Sequence, residues 1–209
     1  SSNANVQSFS IRGASEVAGG GIGNRVLLLL DGRPAITPES GGALWNLVPL
    51  AAIERIEVIK GAYSSLYGSS AMGGIVNVIT RTPDTASHSD LNLHYGAYGP
   101  APAYTGYKRY NDFFGAEFIT SRKLNKWSYL FNFAGKSNDG NREQSSFNLY
   151  NGYGKFKFDF SPNRSLQISA MYNDIFNDTP ATWLSTTEAY SVADYRKDDT
   201  QHRREWNGD

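Results

Sequence analysis

The sequence predicts a small mixed α/β domain followed by an up-and-down antiparallel β-sheet. Three observations carry that expectation. The composition changes at about Pro83, from glycine- and aliphatic-rich before it to aromatic and alternating after it. Beyond that point consecutive segments place apolar residues at every second position, the period of a strand with one apolar face. The links between those segments are alternately short and long, so an antiparallel sheet gathers all the short ones at one end.

Bulk properties narrow the class. The chain has 209 residues, and 20 Lys+Arg are balanced by 20 Asp+Glu, so no net charge draws it to phosphate or to an anionic surface. Cysteine is absent, which removes disulfides and thiolate metal sites. The densest apolar run, Val26–Leu30, falls far short of the roughly 18 residues of a membrane-spanning helix. No initiator Met and no secretory signal open the chain, which predicts a processed or partial product.

Within residues 1–83, SIRG at Ser10–Gly13 leads through a glycine-rich loop to VLLLL at Val26–Leu30. The run does not alternate, which predicts a strand covered on both faces, and it ends in Asp31-Gly32, a hairpin-turn pair. A polar stretch follows, then a helical turn near Pro49–Ala52, where proline suits the first helical position. IERIEVIKG (Ile53–Gly61) and GIVNVIT (Gly74–Thr80) predict two further strands. Five alternating segments then follow in residues 84–209: Leu91/Leu93/Tyr95/Ala97, Phe114/Ala116/Phe118, Trp127/Tyr129/Phe131/Phe133, Phe156/Phe158/Phe160 and Leu166/Ile168/Ala170/Tyr172.

The turns around Lys123–Asn125 and Ser161–Asn163 are short, and the links Gly99–Asn111, Asn138–Asn148 and Asn177–Thr200 are long. Bacterial outer-membrane barrels have that asymmetry. Alternation does not say which face points outward, so a soluble sandwich or barrel with the aromatic residues in a dry core stays open. Trp127, beside a short turn at the end of an aromatic face, favours an interfacial girdle.

Residues 53–80, IERIEVIKGAYSSLYGSSAMGGIVNVIT, closely resemble the end of the plug domain of TonB-dependent outer-membrane receptors, and SIRG and LLLDGRP occur in that family's order and spacing. The likeness spans Ser10–Pro83; the later strands match in style and not in motif. It is nearer to siderophore and cobalamin receptors than to glycan receptors. The resemblance implies a membrane β-barrel with an internal mixed α/β plug, residues 1–83 being most of the plug and 84–209 the first five or six barrel strands. It further implies a bacterial outer-membrane location, import energised through TonB and its inner-membrane complex, and a bulky scarce ligand such as a ferric siderophore, haem or cobalamin. The Ton box and the remaining strands are expected outside this sequence. No cofactor and no enzymatic step are implied.

The glycine stretch from Gly61 to Gly74 reads as structural, because tight turns and close backbone approach need glycine. GSSAMGG lacks the Lys-Ser/Thr of a phosphate loop, and GGGIG at Gly19–Gly23 precedes a strand where a dinucleotide fingerprint follows one. Arg12 and Lys60 stand where the family has basic residues that seat the plug against barrel carboxylates, although arginine is usual at the second position. By the same resemblance the ligand rests on Asn3, Asn5, Glu39, Ser40, Trp45 and Asn46 of the plug. Long aromatic loops add Tyr98, Tyr104, Tyr107, Arg109, Tyr110, Trp183 and Tyr190, whose rings offer stiff contact area with a polar handle. The carboxylates between Asp174 and Asp199 lack calcium-loop spacing and read as a solvated acidic loop; His88, His94 and His202 are too scattered for zinc. Two other functions stay open: a surface receptor that binds or signals without transport, and a soluble β-rich binding protein.

Overall fold

A computed structural model describes residues 10–11, 14–15, 26–36, 43, 45, 48–61, 67, 71, 73–105, 107–178, 184–185 and 187–208. The chain divides into two compact units, one of residues Asn5–Pro83 and one that includes Asp84–Asp209.

In the first unit a two-residue pairing joins β1 (Ser10–Ile11) to β2 (Ala14–Ser15). A four-stranded sheet follows in the order β4-β3-β6-β5, made from β3 (Val26–Leu30), β4 (Arg33–Pro34), β5 (Ile53–Lys60) and β6 (Gly74–Thr80). β3 lies parallel to β6 with Leu28 opposite Val76, and all five of its residues are buried, as a run without alternation requires. Leu27, Leu29, Ala71 and Ile75 form a core against which Ile36 and Ile59 pack. The turn predicted near Pro49 is a short 3-10 helix, Leu50–Ala52.

Two of the quoted motifs prove to be one lock. Asp31 and Gly32 have φ of 50° and 83°, the left-handed pair of a tight hairpin turn between β3 and β4. Thr80 donates its N–H to Asp31 Oδ1 at 2.8 Å and its hydroxyl to Oδ2 at 2.7 Å. Asn77 Oδ1 accepts the Gly32 N–H at 3.0 Å, while its Nδ2 donates to Glu57 at 3.2 Å. The aspartate of DG thus needs the threonine of NVIT, and each charge-assisted bond contributes about 1.5–3 kcal/mol. Gly74, at φ +149°, packs against β5 so closely that a Cβ would stand 2.6 Å from the Ile59 carbonyl oxygen. Only glycine fits there.

The second unit is a six-stranded antiparallel meander, β7 to β12, each strand paired with its sequence neighbours. Its strands are β7 (His88–Ala97), β8 (Asp112–Leu124), β9 (Trp127–Asn138), β10 (Phe147–Ser161), β11 (Arg164–Asp178) and β12 (Thr200–Gly208). The sixth, QHRREWN, lay hidden in the sequence because charges occupy its alternating positions. The first short turn falls at Asn125-Lys126, slightly later than the sequence suggests, with Asn125 at φ +54°.

Register brings the alternating residues onto one face: Leu91 opposite Phe118, Phe118 opposite Phe133, Tyr129 opposite Phe156, Phe156 opposite Ile168, and Tyr172 opposite Trp206. That aromatic face is the exposed one. Phe133 is 56% and Leu91 65% exposed, whereas Asn132 and Asn173 on the opposite face are wholly buried. Asn132 donates to Glu117 at 3.2 Å and Asn173 to Glu205 at 3.2 Å, so polar side chains pair across strands on the covered side. A soluble protein with a dry aromatic core would bury this face instead.

Candidate ligand-binding end

The meander sends its short turns, Asn125-Lys126 and Pro162-Asn163, to one end and its long connections, residues 98–111, 139–146 and 179–199, to the other. Each end has its own chemistry. At the short-turn end Trp127 stacks against Phe156 and Phe158 with ring centroids 4.8 and 4.2 Å apart, and Phe158 meets Phe160 edge-on at 4.8 Å. Lys123 and Lys157 reach Asp159 at 3.4 and 3.2 Å.

At the long-connection end polar contacts tie the three connections to one another. Asn111, nearly buried, donates from Nδ2 to the Gly140 carbonyl at 2.7 Å and to the Tyr107 hydroxyl at 2.8 Å. Tyr98 donates its hydroxyl to Asn138 at 3.0 Å and packs edge-on against Phe113. Gly140 holds the middle connection in shape with φ +77°, and its N–H donates to Asn138 at 2.6 Å. Glu143 links the middle and last connections. Its N–H donates to the Tyr190 carbonyl at 2.9 Å, its carboxylate accepts the Val192 N–H at 3.0 Å, and Lys197 Nζ lies 3.8 Å away. Tyr107 and Tyr190 bring the first and last connections together with ring centroids 5.8 Å apart.

Charge in this region is paired locally. Lys197 lies 2.7 Å from Asp194, which holds the Asp194 carboxyl below its ordinary range. The hydrogen bond to Asp194, with Asp194 and Glu143 charges adding, holds Lys197 above its own. Three other carboxylates of the expected acidic loop have separate partners: Asp178 accepts the Ser146 N–H, Asp199 meets Arg196 at 3.4 Å, and Asp174 meets His202 at 2.7 Å. Among the described residues no three His, Asp or Glu side chains gather as metal ligands do.

Of the residues singled out in the sequence, Tyr98, Tyr107 and Tyr190 are joined in this network. Tyr104 and Tyr110 lie in the same region, 78% and 86% exposed, and Arg109 is exposed beside them. Trp45 is half-buried in the first unit, and Lys60 is exposed at the end of β5. Arg12, Asn3, Asn5, Glu39, Ser40, Asn46 and Trp183 lie outside the described residues. Sequence reasoning missed Asn111, Asn138 and Glu143. The only signal was the placement of the two asparagines at strand ends, where a side-chain amide replaces a lost backbone partner.

Residues 1–75 match the family model of the TonB-dependent receptor plug domain. Over 74 residues the chain is 43% identical to the vitamin B12 transporter BtuB of Vibrio vulnificus (strain CMCP6), covering 35% of this chain and 12% of that protein. Over 78 residues it is 36% identical to the ferric enterobactin receptor of Pseudomonas aeruginosa, covering 32% of this chain and 10% of that protein. The chain therefore spans only a small part of the length of these relatives. The siderophore receptor PirA from Acinetobacter baumannii resembles it with a TM-score of 0.62 at 19% identity, over 93% of this chain and 30% of that one. The pyoverdine receptor FpvA from Pseudomonas aeruginosa does so with a TM-score of 0.60 at 20% identity, over 81% and 22%. At such identities the structures speak for the fold alone. Residues 1–75, which include the Asp31-Gly32 turn, thus match a TonB-dependent receptor plug domain, and the relatives that share this region are a vitamin B12 transporter and a ferric enterobactin receptor.

Proposed function

We propose that the intact protein binds a scarce, bulky metal chelate or cobalamin-like ligand at the long-connection end and imports it with energy delivered through TonB and its inner-membrane complex. In this reading residues 84–209 are the first strands of the transmembrane barrel, residues 1–83 are its plug, and Arg12 and Lys60 help to seat the plug. Tyr104, Arg109 and Tyr110 present the exposed contact surface, while Asn111 and Glu143 hold the connections that carry it. The reaction makes and breaks no covalent bond.

The observation that carries the proposal is the polarity of the sheet. An aromatic face is exposed, the covered face carries the buried polar side chains Asn132, Asn151, Lys155 and Asn173 beside apolar Ile119, Leu130 and Ile175, and the long tyrosine-bearing connections are gathered and cross-tied at one end. A lipid-facing barrel wall whose other side holds the polar residues, with a ligand platform above it, has that arrangement. Names among the relatives, vitamin B12 transporter and ferric enterobactin receptor, support the ligand class.

The test is uptake by cells with and without the gene, starved of iron or of cobalamin and supplied with radiolabelled ferric siderophores, haem or cyanocobalamin. Uptake of one ligand that needs both this gene and TonB is the expected result. Binding at the cell surface without uptake overturns transport in favour of a receptor that only binds or signals.

A further inference from the structure

The aromatic face of the meander is interrupted by small residues. Ala116 stands opposite Gly135, Gly154 opposite Ala170, and Ala170 opposite Gly208. Rings from neighbouring strands lean over the gaps: a Cβ on Gly152 would meet Phe133 at 3.7 Å, and one on Gly154 would meet Phe131 at 3.3 Å. A groove of about 970 Å³ results. Its floor is glycine and alanine, and Phe118, Phe131, Phe133, Tyr150, Tyr172 and Trp206 line it.

The groove lies between two kinds of border. Toward the short turns the face continues as Phe156 and Ile168, 37% and 50% exposed. Toward the long connections it ends at the Tyr172–Trp206 ring pair, 4.2 Å between centroids. One step further the same face becomes polar. There Asp174 accepts from the Tyr172 hydroxyl at 3.0 Å and from Arg204 Nε at 3.2 Å, and lies 2.7 Å from His202. A hydrocarbon-depth groove therefore opens at an interface-level cluster, with the Arg204 side chain 62% exposed.

We propose that this groove is a fixed binding site for one acyl chain of an outer-leaflet lipid, its polar end level with Tyr172, His202 and Arg204. The proposal rests on the reading above that residues 84–209 are a lipid-facing barrel wall with the long connections outside. Continuity with that lipid-facing surface selects the occupant, because exposed Phe156 and Ile168 adjoin the groove and on that reading already meet hydrocarbon. An empty groove forfeits the dispersion contacts of its lining, and no water is present at that depth to fill it. A methylene chain follows an irregular floor that a rigid helix or a second barrel cannot match without complementary relief.

The intact receptor is placed in nanodiscs of phosphatidylcholine doped with phosphatidylcholine bearing a photoactivatable diazirine on one acyl chain. Illumination and peptide mapping then locate the label. Expected is several-fold excess labelling of the peptides around Phe131–Phe133, Gly152–Gly154 and Ala170, and loss of that excess in Gly152→Leu, which fills the groove from its floor. Ala170→Leu, which fills it from the next strand, gives a second and independent filling should the first variant fold poorly. Labelling that is even around the apolar face, or unchanged by both substitutions, overturns the proposal, as does photocrosslinking of one receptor to another through β10 and β11. Heat-modifiable gel migration of each sample separates the two levels. A sample that does not shift on heating sinks the barrel reading itself, whereas a shifted sample with even labelling sinks only the groove.

Discussion

The two units reach specificity by opposite routes. In residues 5–83 a few side chains each make one irreplaceable contact, for Asp31 holds Thr80, Asn77 bridges Gly32 to Glu57, and Gly74 admits the neighbouring strand. In residues 84–209 identity matters less than parity, since Phe114, Phe118, Phe131 and Phe133 share one exposed face through register alone. The first unit is therefore intolerant residue by residue. The second is intolerant only of polarity in the wrong place.

Substitutions break this comparison in order of size. Gly74→Ala has the largest expected effect, because it forces a Cβ against the Ile59 carbonyl at a φ that alanine rarely adopts; about 3 kcal/mol or more of the first unit's stability is lost. Hydrogen exchange should show Val26–Leu30 and Gly74–Thr80 losing protection while β9 and β10 keep theirs. Equal loss in both units would remove the distinction between them.

Next comes Phe133→Arg, expected to cost about 2–4 kcal/mol in lipid, against less than about 1 kcal/mol for Phe133→Leu. Urea unfolding in vesicles measures the pair, and arginine tolerated as well as leucine would place the face in water. Glu143→Ala is expected to leave stability within about 1 kcal/mol, since it acts on connections and not on strands. Its readout is faster exchange of the Val192 amide; unchanged exchange would show that the connections are held without it.

The smallest effect concerns pH. Asp194 titrates below its ordinary 3.8, chiefly through the hydrogen bond from Lys197, so its contribution is present above that value and is lost as pH falls through the lowered one. Lys197 titrates above its ordinary 10.5, chiefly through Asp194, so its contribution is full below that value and is lost as pH rises through the raised one. The tie is thus intact from about pH 4 to 10.5, and its exposure keeps its weight slight. A spin label at Tyr195→Cys should show constant mobility from pH 5 to 9 and a rise on further acidification. A change centred near neutrality would point to another group.

Legibility followed the same division. Val26–Leu30 was readable as a continuous apolar run ending in Asp-Gly, and Ile53–Gly61 and Gly74–Thr80 as segments rich in isoleucine and valine bounded by glycine. The lock between Asp31 and Thr80 was not readable as a contact, because 49 residues separate its partners. In the meander five strands stood out by parity, but β12 did not. Its outward positions His202 and Arg204 lie beyond the apolar band, so only Trp206 keeps the pattern. The tyrosines of the long connections were visible as candidates. Asn111 and Glu143, which organise them, were not, because a hydrogen bond across connections leaves no period in the chain.

The neighbour-only pairing of the meander also sets an order of assembly. Two joints close over two residues each, at 125–126 and 162–163, while the last link runs through residues 179–199. Loop-closure entropy makes that longest joint dearer by about 2 kcal/mol than the shortest. β8–β9 and β10–β11 are thus ready-made hairpins, each able to zip from its own turn before any distant part of the chain is in place. Lengthening or exchanging a long connection leaves those two nuclei untouched, so the long-connection end is free to diversify while the sheet beneath it forms by the same steps.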